Sequence, residues 1–143
     1  MKTASILAFA LMVVGIVWLY RAHQLFSRSP VVIAVQLAAV LLMIWARITF
    51  GGRSFHAAAN PTAGGIVTSG PYAYIRHPIY AAALYFTWTP ALRYHTVAGF
   101  AAAGLIAIGG IMRMLSEERL LVERYPEYRD YMRRVKRVVP FVL

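Results

Sequence analysis

Long segments without charge constrain the fold of this chain more than any other feature of its sequence. The first, residues 4–20, has seventeen residues and no charged side chain. As a helix rising about 1.5 Å per residue, it would nearly cross a hydrocarbon core about 30 Å thick. Further apolar segments occupy residues 31–46 (or as far as 50), 78–92 and 94–112. The sequence therefore predicts an all-α, integral membrane helical bundle of about four transmembrane helices.

A cleaved signal peptide is the alternative interpretation of the first segment, since Lys2 supplies a basic start. However, the apolar run is longer than a usual signal-peptide core, and no Ala-x-Ala-like cleavage site is present. Trp18 and Tyr20 stand at the end of the run, where aromatic side chains favour the membrane interface. We therefore predict an uncleaved first helix.

The composition agrees with a membrane protein and excludes two kinds of site. Hydrophobic residues make up 60% of the 143 residues, and the mean hydropathy of +0.60 is too high for an ordinary soluble protein of this size. The length predicts a single domain. Cysteine is absent, so neither a disulfide nor a thiolate metal site can form, and we predict no metal.

The formal net charge of +10 raises nucleic acid as a partner, but the sequence has no basic motif typical of nucleic-acid-binding folds. Basic residues that flank apolar segments more often report membrane orientation and anionic lipids. With four spans, twelve Lys and Arg lie on the side of both termini, and three, Arg21, Arg28 and Arg93, on the other. The positive-inside rule predicts that both termini are cytoplasmic. We expect a multi-pass protein of the inner or plasma membrane of a prokaryote. Membrane lipids, and no nucleic acid, are the expected partners.

The tail from Arg113 onward differs sharply from the rest of the chain. It holds all five acidic residues and eight of the fifteen Lys and Arg. Apolar side chains recur there at intervals of four, three, four and three residues, at Leu121, Tyr125, Tyr128, Met132 and Val135. This spacing predicts an amphipathic C-terminal cytosolic helix, reset at Pro126, that lies on the membrane surface or folds back over the bundle.

Two polar clusters, residues 69–80 and 113–118, flank the third and fourth apolar segments and are predicted to form one site. Pro78 suits a first helical position, which would place Arg76 and His77 at a helix N-terminus that favours anions. Arg113 and Glu117 are four residues apart and so share one face of a helix. A helix start capped by His77 and a surface Arg–Glu pair is the purely structural alternative.

The kind of ligand follows from the side chains of these clusters. Tyr72, Tyr74 and Tyr80 supply aromatic faces for an adenine or a positively charged sulfonium. The common catalytic motifs are absent from the sequence: it has no Walker loop, no Gly-x-Ser-x-Gly, no His-Glu-x-x-His and no Gly-x-Gly-x-x-Gly. A nucleotide cofactor, if used, would therefore bind on a helical membrane scaffold.

The order of these motifs resembles the isoprenylcysteine carboxyl methyltransferase family, whose plan the phospholipid N-methyltransferases share. The resemblance covers residues 50–143 and rests on residues 67–72 (Val-Thr-Ser-Gly-Pro-Tyr), 76–80 (Arg-His-Pro-Ile-Tyr), 117–121 (Glu-Glu-Arg-Leu-Leu), 125–131 (Tyr-Pro-Glu-Tyr-Arg-Asp-Tyr) and 139–140 (Val-Pro). It implies an integral membrane enzyme that transfers a methyl group from S-adenosylmethionine to a lipophilic small molecule. Residues 1–50 would then be two N-terminal transmembrane helices and residues 51–143 the cofactor-binding core.

The resemblance also implies the residues of the site. Arg113 falls where the family has an arginine facing the methyl acceptor, so Arg113 and His77 are the catalytic candidates. The implied cofactor contacts are Gly64, Gly65, Ile66, Val67, Tyr72, His77, Pro78, Ile79, Tyr80 and Glu117.

The acceptor stays open at the level of the sequence. A carboxylate is already ionised and needs no base, and Arg113 would orient it bidentately. An amine must lose a proton, which would require His77, Glu117 or Glu118. We favour carboxyl O-methylation; the alternatives are a phospholipid amine N-methyltransferase and a non-catalytic lipid-binding scaffold. Short, glycine-rich helices also favour a homodimer.

Overall fold

The computed structural model describes residues 2–51 and 65–140, and this part of the chain is almost entirely helical. It contains α1 (Lys2–Arg21), α2 (Pro30–Phe50), α3 (Pro78–Tyr94), α4 (Val97–Arg124) and α5 (Tyr128–Arg134), with a 3-10 turn at Gly70–Ala73. Within the described residues there is no strand, only an isolated parallel bridge between Ile75 and Lys136. The predicted all-α class is confirmed.

Three of the four apolar helices are long and apolar enough to cross a membrane. They are α1 from Thr3 onward, α2 and α4. The fourth, α3, has 17 residues, which at the usual rise corresponds to about 25 Å, slightly less than a typical hydrocarbon core. The shortness expected for the third apolar segment is therefore present in the fold.

The helix α3 continues through Pro90, although a proline inside a helix usually kinks or ends it. Proline lacks an N–H group, so the carbonyl of Phe86, one turn earlier, loses its usual partner. The buried amide of Gln36 on α2 replaces that partner, donating to the Phe86 carbonyl at 3.1 Å. Only His95 and Thr96 separate α3 from α4, so the two helices form a helical hairpin.

The helix α4 is longer than predicted, and the C-terminal helix is correspondingly shorter. The sequence analysis ended the fourth apolar segment at residue 112, but α4 continues to Arg124 and stops two residues before Pro126. The separate helix α5 has only seven residues, so Val135 lies beyond it. Its buried Tyr128 and Tyr131 pack back onto the bundle. The tail therefore folds back over the bundle, which is the second of its two predicted placements.

The helices pack in the order α1, α4, α3, α2 across the bundle. One buried cluster joins α1 to α4 and contains Met12, Leu19, Leu25, Ala102 and Ile106. A second joins the residues before α3 to the C-terminal segment and contains Ile75, Ala81, Met114 and Val138. The helices α1 and α2 stand at opposite ends of this order. They leave space between them, and a cavity can form there.

Gly109 allows α1 and α4 to approach closely, and its replacement by Ala should destabilise the protein. A Cβ atom at this position would overlap the carbonyl oxygen of Ala8 and lie 2.8 Å from Met12 Cγ. We expect Gly109→Ala to cost about 1–3 kcal/mol, the usual cost of overpacking. Thermal unfolding in detergent measures it, with Gly104→Ala as the control because no atom lies within 4 Å of that Cβ. Equal melting temperatures for the two variants would contradict this account of the α1–α4 contact.

Candidate functional site

The two polar clusters meet at a cavity of about 400 Å³, within the size range of small-molecule sites. Every helix of the bundle contributes to its wall. The residues that line it are Phe9, Met12 and Ile16 on α1; Met43, Arg47 and Phe50 on α2; Gly65, Ile66, Val67, Tyr72, Arg76 and His77 before α3; Pro78, Ile79, Tyr80 and Ala83 on α3; Arg113, Glu117, Leu120 and Leu121 on α4; and Tyr128 and Tyr131 on α5. Its polar groups gather at the start of α3 and the middle of α4.

All the site residues that the family resemblance implied, and that the structure describes, line this one cavity. Gly64 lies outside the described residues. Tyr74, which was expected to offer an aromatic face, is exposed and does not line the cavity. The structure thus brings the two motifs together, while the role of each residue remains a prediction.

The start of α3 is held in place by the C-terminal segment of the chain. The backbone N–H groups of Arg76 and His77 donate to the carbonyls of Lys136 and Arg137, at 2.7 and 3.0 Å. Pro78 then occupies the first helical position, as predicted. His77 occupies the N-cap position of α3, but its side chain makes no capping hydrogen bond there. Its ring is instead turned toward α4.

Tyr80 connects Arg113 and Glu117 at the polar end of the cavity. Its hydroxyl donates a short hydrogen bond to Glu117 Oε1 and accepts one of 2.8 Å from Arg113 Nε. Arg113 Nη2 lies 3.5 Å from Glu117 Oε1, so the two side chains share one face of α4, as predicted. The Arg113 side chain is 6% exposed and that of Glu117 24%, so this is a part-buried pair and not the surface pair of the structural alternative.

Glu118 is the main residue whose place the sequence analysis missed. Its buried carboxylate accepts hydrogen bonds from Arg76 Nη2 at 2.8 Å and from Arg137 Nη2 at 2.9 Å, and His77 Nε2 lies 3.1 Å away. Neighbouring residues on a helix point about 100° apart, so the side chains of Glu117 and Glu118 lie on different sides of α4. Glu118 does not line the cavity, and it is therefore withdrawn as a candidate base.

Three tyrosines form a neutral wall on the side of the cavity near α5. Burial raises the pKa of the Tyr72, Tyr128 and Tyr131 hydroxyls above their ordinary value, so all three stay protonated at physiological pH. The Tyr131 hydroxyl donates to the Tyr72 carbonyl at 2.6 Å, and the Phe50 ring lies 5.5 Å from the Tyr72 ring. This wall offers aromatic surface without adding charge.

The N-terminal helices supply an apolar wall that the sequence analysis did not assign. It consists of Phe9, Met12 and Ile16 on α1 with Met43 and Phe50 on α2. Both helices are apolar all round, so no periodicity distinguishes a side chain that faces a cavity from one that faces lipid. The cavity consequently joins a charged end to a hydrophobic end.

The charged end has an excess of positive charge. Among the described residues that line the cavity, three are arginines, Arg47, Arg76 and Arg113, and one is a carboxylate, Glu117. Glu118 compensates Arg76 from behind the wall. The remaining balance favours a ligand with an anionic group and an apolar body.

Comparison with known proteins identifies a family for this chain. The family model described as phospholipid methyltransferase matches residues 31–128. No curated protein and no solved structure matches the chain significantly. The matched range contains both polar clusters and begins in α2, so α1 lies outside it.

Proposed function

The chain belongs to the phospholipid methyltransferase family of membrane methyltransferases, and from this membership we propose that it transfers a methyl group from S-adenosylmethionine to the carboxylate of a lipophilic small molecule. The observation that carries the proposal is the single cavity in which Arg113 and Glu117 meet apolar side chains of α1 and α2. We place this site at the cytoplasmic side of the membrane, as the charge distribution of the sequence predicts.

The residues near the start of α3 have the chemistry to hold the cofactor. When bound, S-adenosylmethionine supplies a methyl group on a positively charged sulfur. Tyr72 and Tyr80 offer aromatic faces, which attract such a cation and stack on an adenine. Glu117 offers a negative charge, and the N-terminus of α3, with its positive partial charge, favours the carboxylate of an amino acid. These groups together suit S-adenosylmethionine, which carries an adenine, a positively charged sulfur and a carboxylate.

The excess of arginine favours a carboxylate as the acceptor. Such a group is ionised at neutral pH, so methyl transfer to its oxygen requires no proton removal. Arg113 would hold the acceptor, and the wall formed by α1 and α2 would hold its apolar body and exclude water. Positioning and desolvation of this kind supply much of the catalysis available to a simple displacement.

N-methylation of a phospholipid amine is the second candidate, favoured by the description of the matched family. This reaction needs a group that accepts the proton of the amine. Glu117 is the carboxylate that lines the cavity in the described chain, and His77 Nδ1 lies 3.9 Å from its Oε2. These two residues would therefore carry the proton transfer.

The test separates the two acceptors by the chemistry of the product. Membranes containing the protein are incubated with methyl-labelled S-adenosylmethionine and either N-acetyl-S-farnesylcysteine, a lipophilic carboxylate, or phosphatidylethanolamine vesicles. We expect label in the carboxylate product that mild base releases as methanol, because an ester is base-labile. Base-stable label in the phospholipid would support the amine reaction, and no label with either probe would favour a non-catalytic scaffold.

Glu117→Gln should weaken binding of S-adenosylmethionine by about tenfold, since a hydrogen bond or contact to a charged group is worth about 1.5–3 kcal/mol. S-adenosylhomocysteine has a neutral sulfur, so its affinity should fall less. Calorimetry in detergent measures both ligands, with exposed Glu123→Gln on the same helix as the control. Unchanged affinity for both ligands would remove Glu117 from the cofactor site.

A further inference from the structure

The guanidinium of Arg113 is held by α1 as well as by its neighbours on α3 and α4. Arg113 Nη1 lies 3.2 Å from Ser5 Oγ and 3.3 Å from the Ser5 carbonyl oxygen. The guanidinium carbon is 5.5 Å from the centre of the Phe9 ring, within the range of a cation–π contact. Both residues belong to α1, which lies outside the matched range of the family.

These contacts act on different parts of the guanidinium. Tyr80 accepts from Nε, Glu117 lies near Nη2, and Ser5 accepts from Nη1. Phe9 covers the group with an aromatic face. A free arginine side chain loses rotamer entropy when it is fixed, so contacts made before the acceptor arrives reduce the cost of ordering it.

We propose that Ser5 is a positioning residue, which holds Arg113 in the orientation in which it meets the anionic group of the acceptor, and that Phe9 shares this role in addition to lining the cavity. This inference rests on the proposed function, because it concerns the same site and the same acceptor class. Ser5 is fully buried, and its hydroxyl and carbonyl oxygens both lie near Arg113 Nη1, which connects it to the site. The first helix thus contributes to acceptor binding without belonging to the matched part of the chain.

A purely structural role for Ser5 makes a different prediction. If the residue only packed α1 against α4, its loss would lower stability and affect both substrates equally. If it positions Arg113, its loss should affect the acceptor and leave the cofactor unchanged. The two roles are therefore distinguished by measuring the KM of the acceptor and the affinity for the cofactor in the same variant.

The experiment uses the full-length protein in detergent with N-acetyl-S-farnesylcysteine as the carboxylate probe. We expect Ser5→Ala to raise the KM and Kd of this probe by about fivefold, which is less than the loss of a direct hydrogen bond to a charged group because Ser5 acts through Arg113. Phe9→Leu, which keeps an apolar side chain but removes the aromatic face, should raise them by about threefold. Affinity for S-adenosylhomocysteine should stay within about twofold in both variants.

Two further variants make the result specific. Ser5→Thr keeps a hydroxyl at this position, so its probe affinity should be closer to that of the wild type than the affinity of Ser5→Ala. Thr3→Ala removes a hydroxyl from an exposed position of the same helix and should change nothing. Unchanged probe affinity in Ser5→Ala, or an equal loss of probe and cofactor affinity, would overturn the inference.

Failure of the proposed function would look different. Wild-type protein that binds the probe but transfers no methyl group would contradict that function, and the binding data of the variants would still decide the role of Ser5 and Phe9. Wild-type protein that does not bind the probe at all would overturn the inference itself.

Discussion

Arg113→Ala should lower the rate of methyl transfer to N-acetyl-S-farnesylcysteine by about a hundredfold or more, the effect of removing a preorganised electrostatic group from an active site. Affinity for S-adenosylhomocysteine should change by no more than about twofold, because the proposed cofactor contacts lie mainly on the segment before α3 and on Tyr80 and Glu117. Initial rates at saturating cofactor measure the methyl transfer. Calorimetry with S-adenosylhomocysteine measures the affinity for the cofactor product separately.

Controls for this prediction come from the same helix. Arg113→Lys keeps the positive charge but loses the planar group that binds a carboxylate through two hydrogen bonds, so it should fall between wild type and Arg113→Ala. Arg119→Ala removes an exposed arginine of α4 and should leave the rate unchanged. An equal loss of turnover and cofactor affinity in Arg113→Ala would remove the assigned role of Arg113.

The cavity-lining residues that were predicted from sequence are those fixed by local chemistry. Pro78 determines where α3 starts, and the four-residue spacing of Arg113 and Glu117 places them on one face of a helix whatever surrounds it. The family resemblance, confirmed by the match to residues 31–128, then placed both clusters at one site. Their convergence on a cavity follows from the short hairpin between α3 and α4.

The parts that sequence could not predict depend on partners far along the chain. Nothing near Pro90 indicates that Gln36 on α2 serves the carbonyl of Phe86, which allows α3 to continue. The sequence underestimates the length of α4, because the change from apolar to charged residues at position 113 resembles the end of a helix. A change of solvent environment does not interrupt a helix that contains no proline or glycine there.

Glu118→Ala should be the most destabilising single substitution considered for this protein. The carboxylate is 3% exposed and holds Arg76, His77 and Arg137 together. Removing one partner of a buried ion pair costs about 3–5 kcal/mol, because the other charge remains buried without compensation. For a chain of this length we expect the melting temperature in detergent to fall by about 10 °C or more.

Matched variants distinguish this buried network from a general effect of charge. Glu118→Gln keeps the shape and one acceptor oxygen, so it should lose less stability than Glu118→Ala. Glu123→Ala removes an exposed carboxylate five residues further along α4 and should change the free energy of unfolding by less than about 0.5 kcal/mol. Similar melting temperatures for Glu118→Ala and Glu123→Ala would contradict the structure of the network.

The same variant also tests how the C-terminal segment reaches the site. Glu118 binds Arg137 beside the point where the carbonyls of Lys136 and Arg137 hold the backbone of Arg76 and His77. Loss of the carboxylate should therefore loosen residues 135–139 together with the start of α3, and hydrogen exchange should increase in both segments. Faster exchange in the C-terminal segment alone would mean that the start of α3 is held by Pro78 and its own helix, and that Glu118 positions nothing in the cavity.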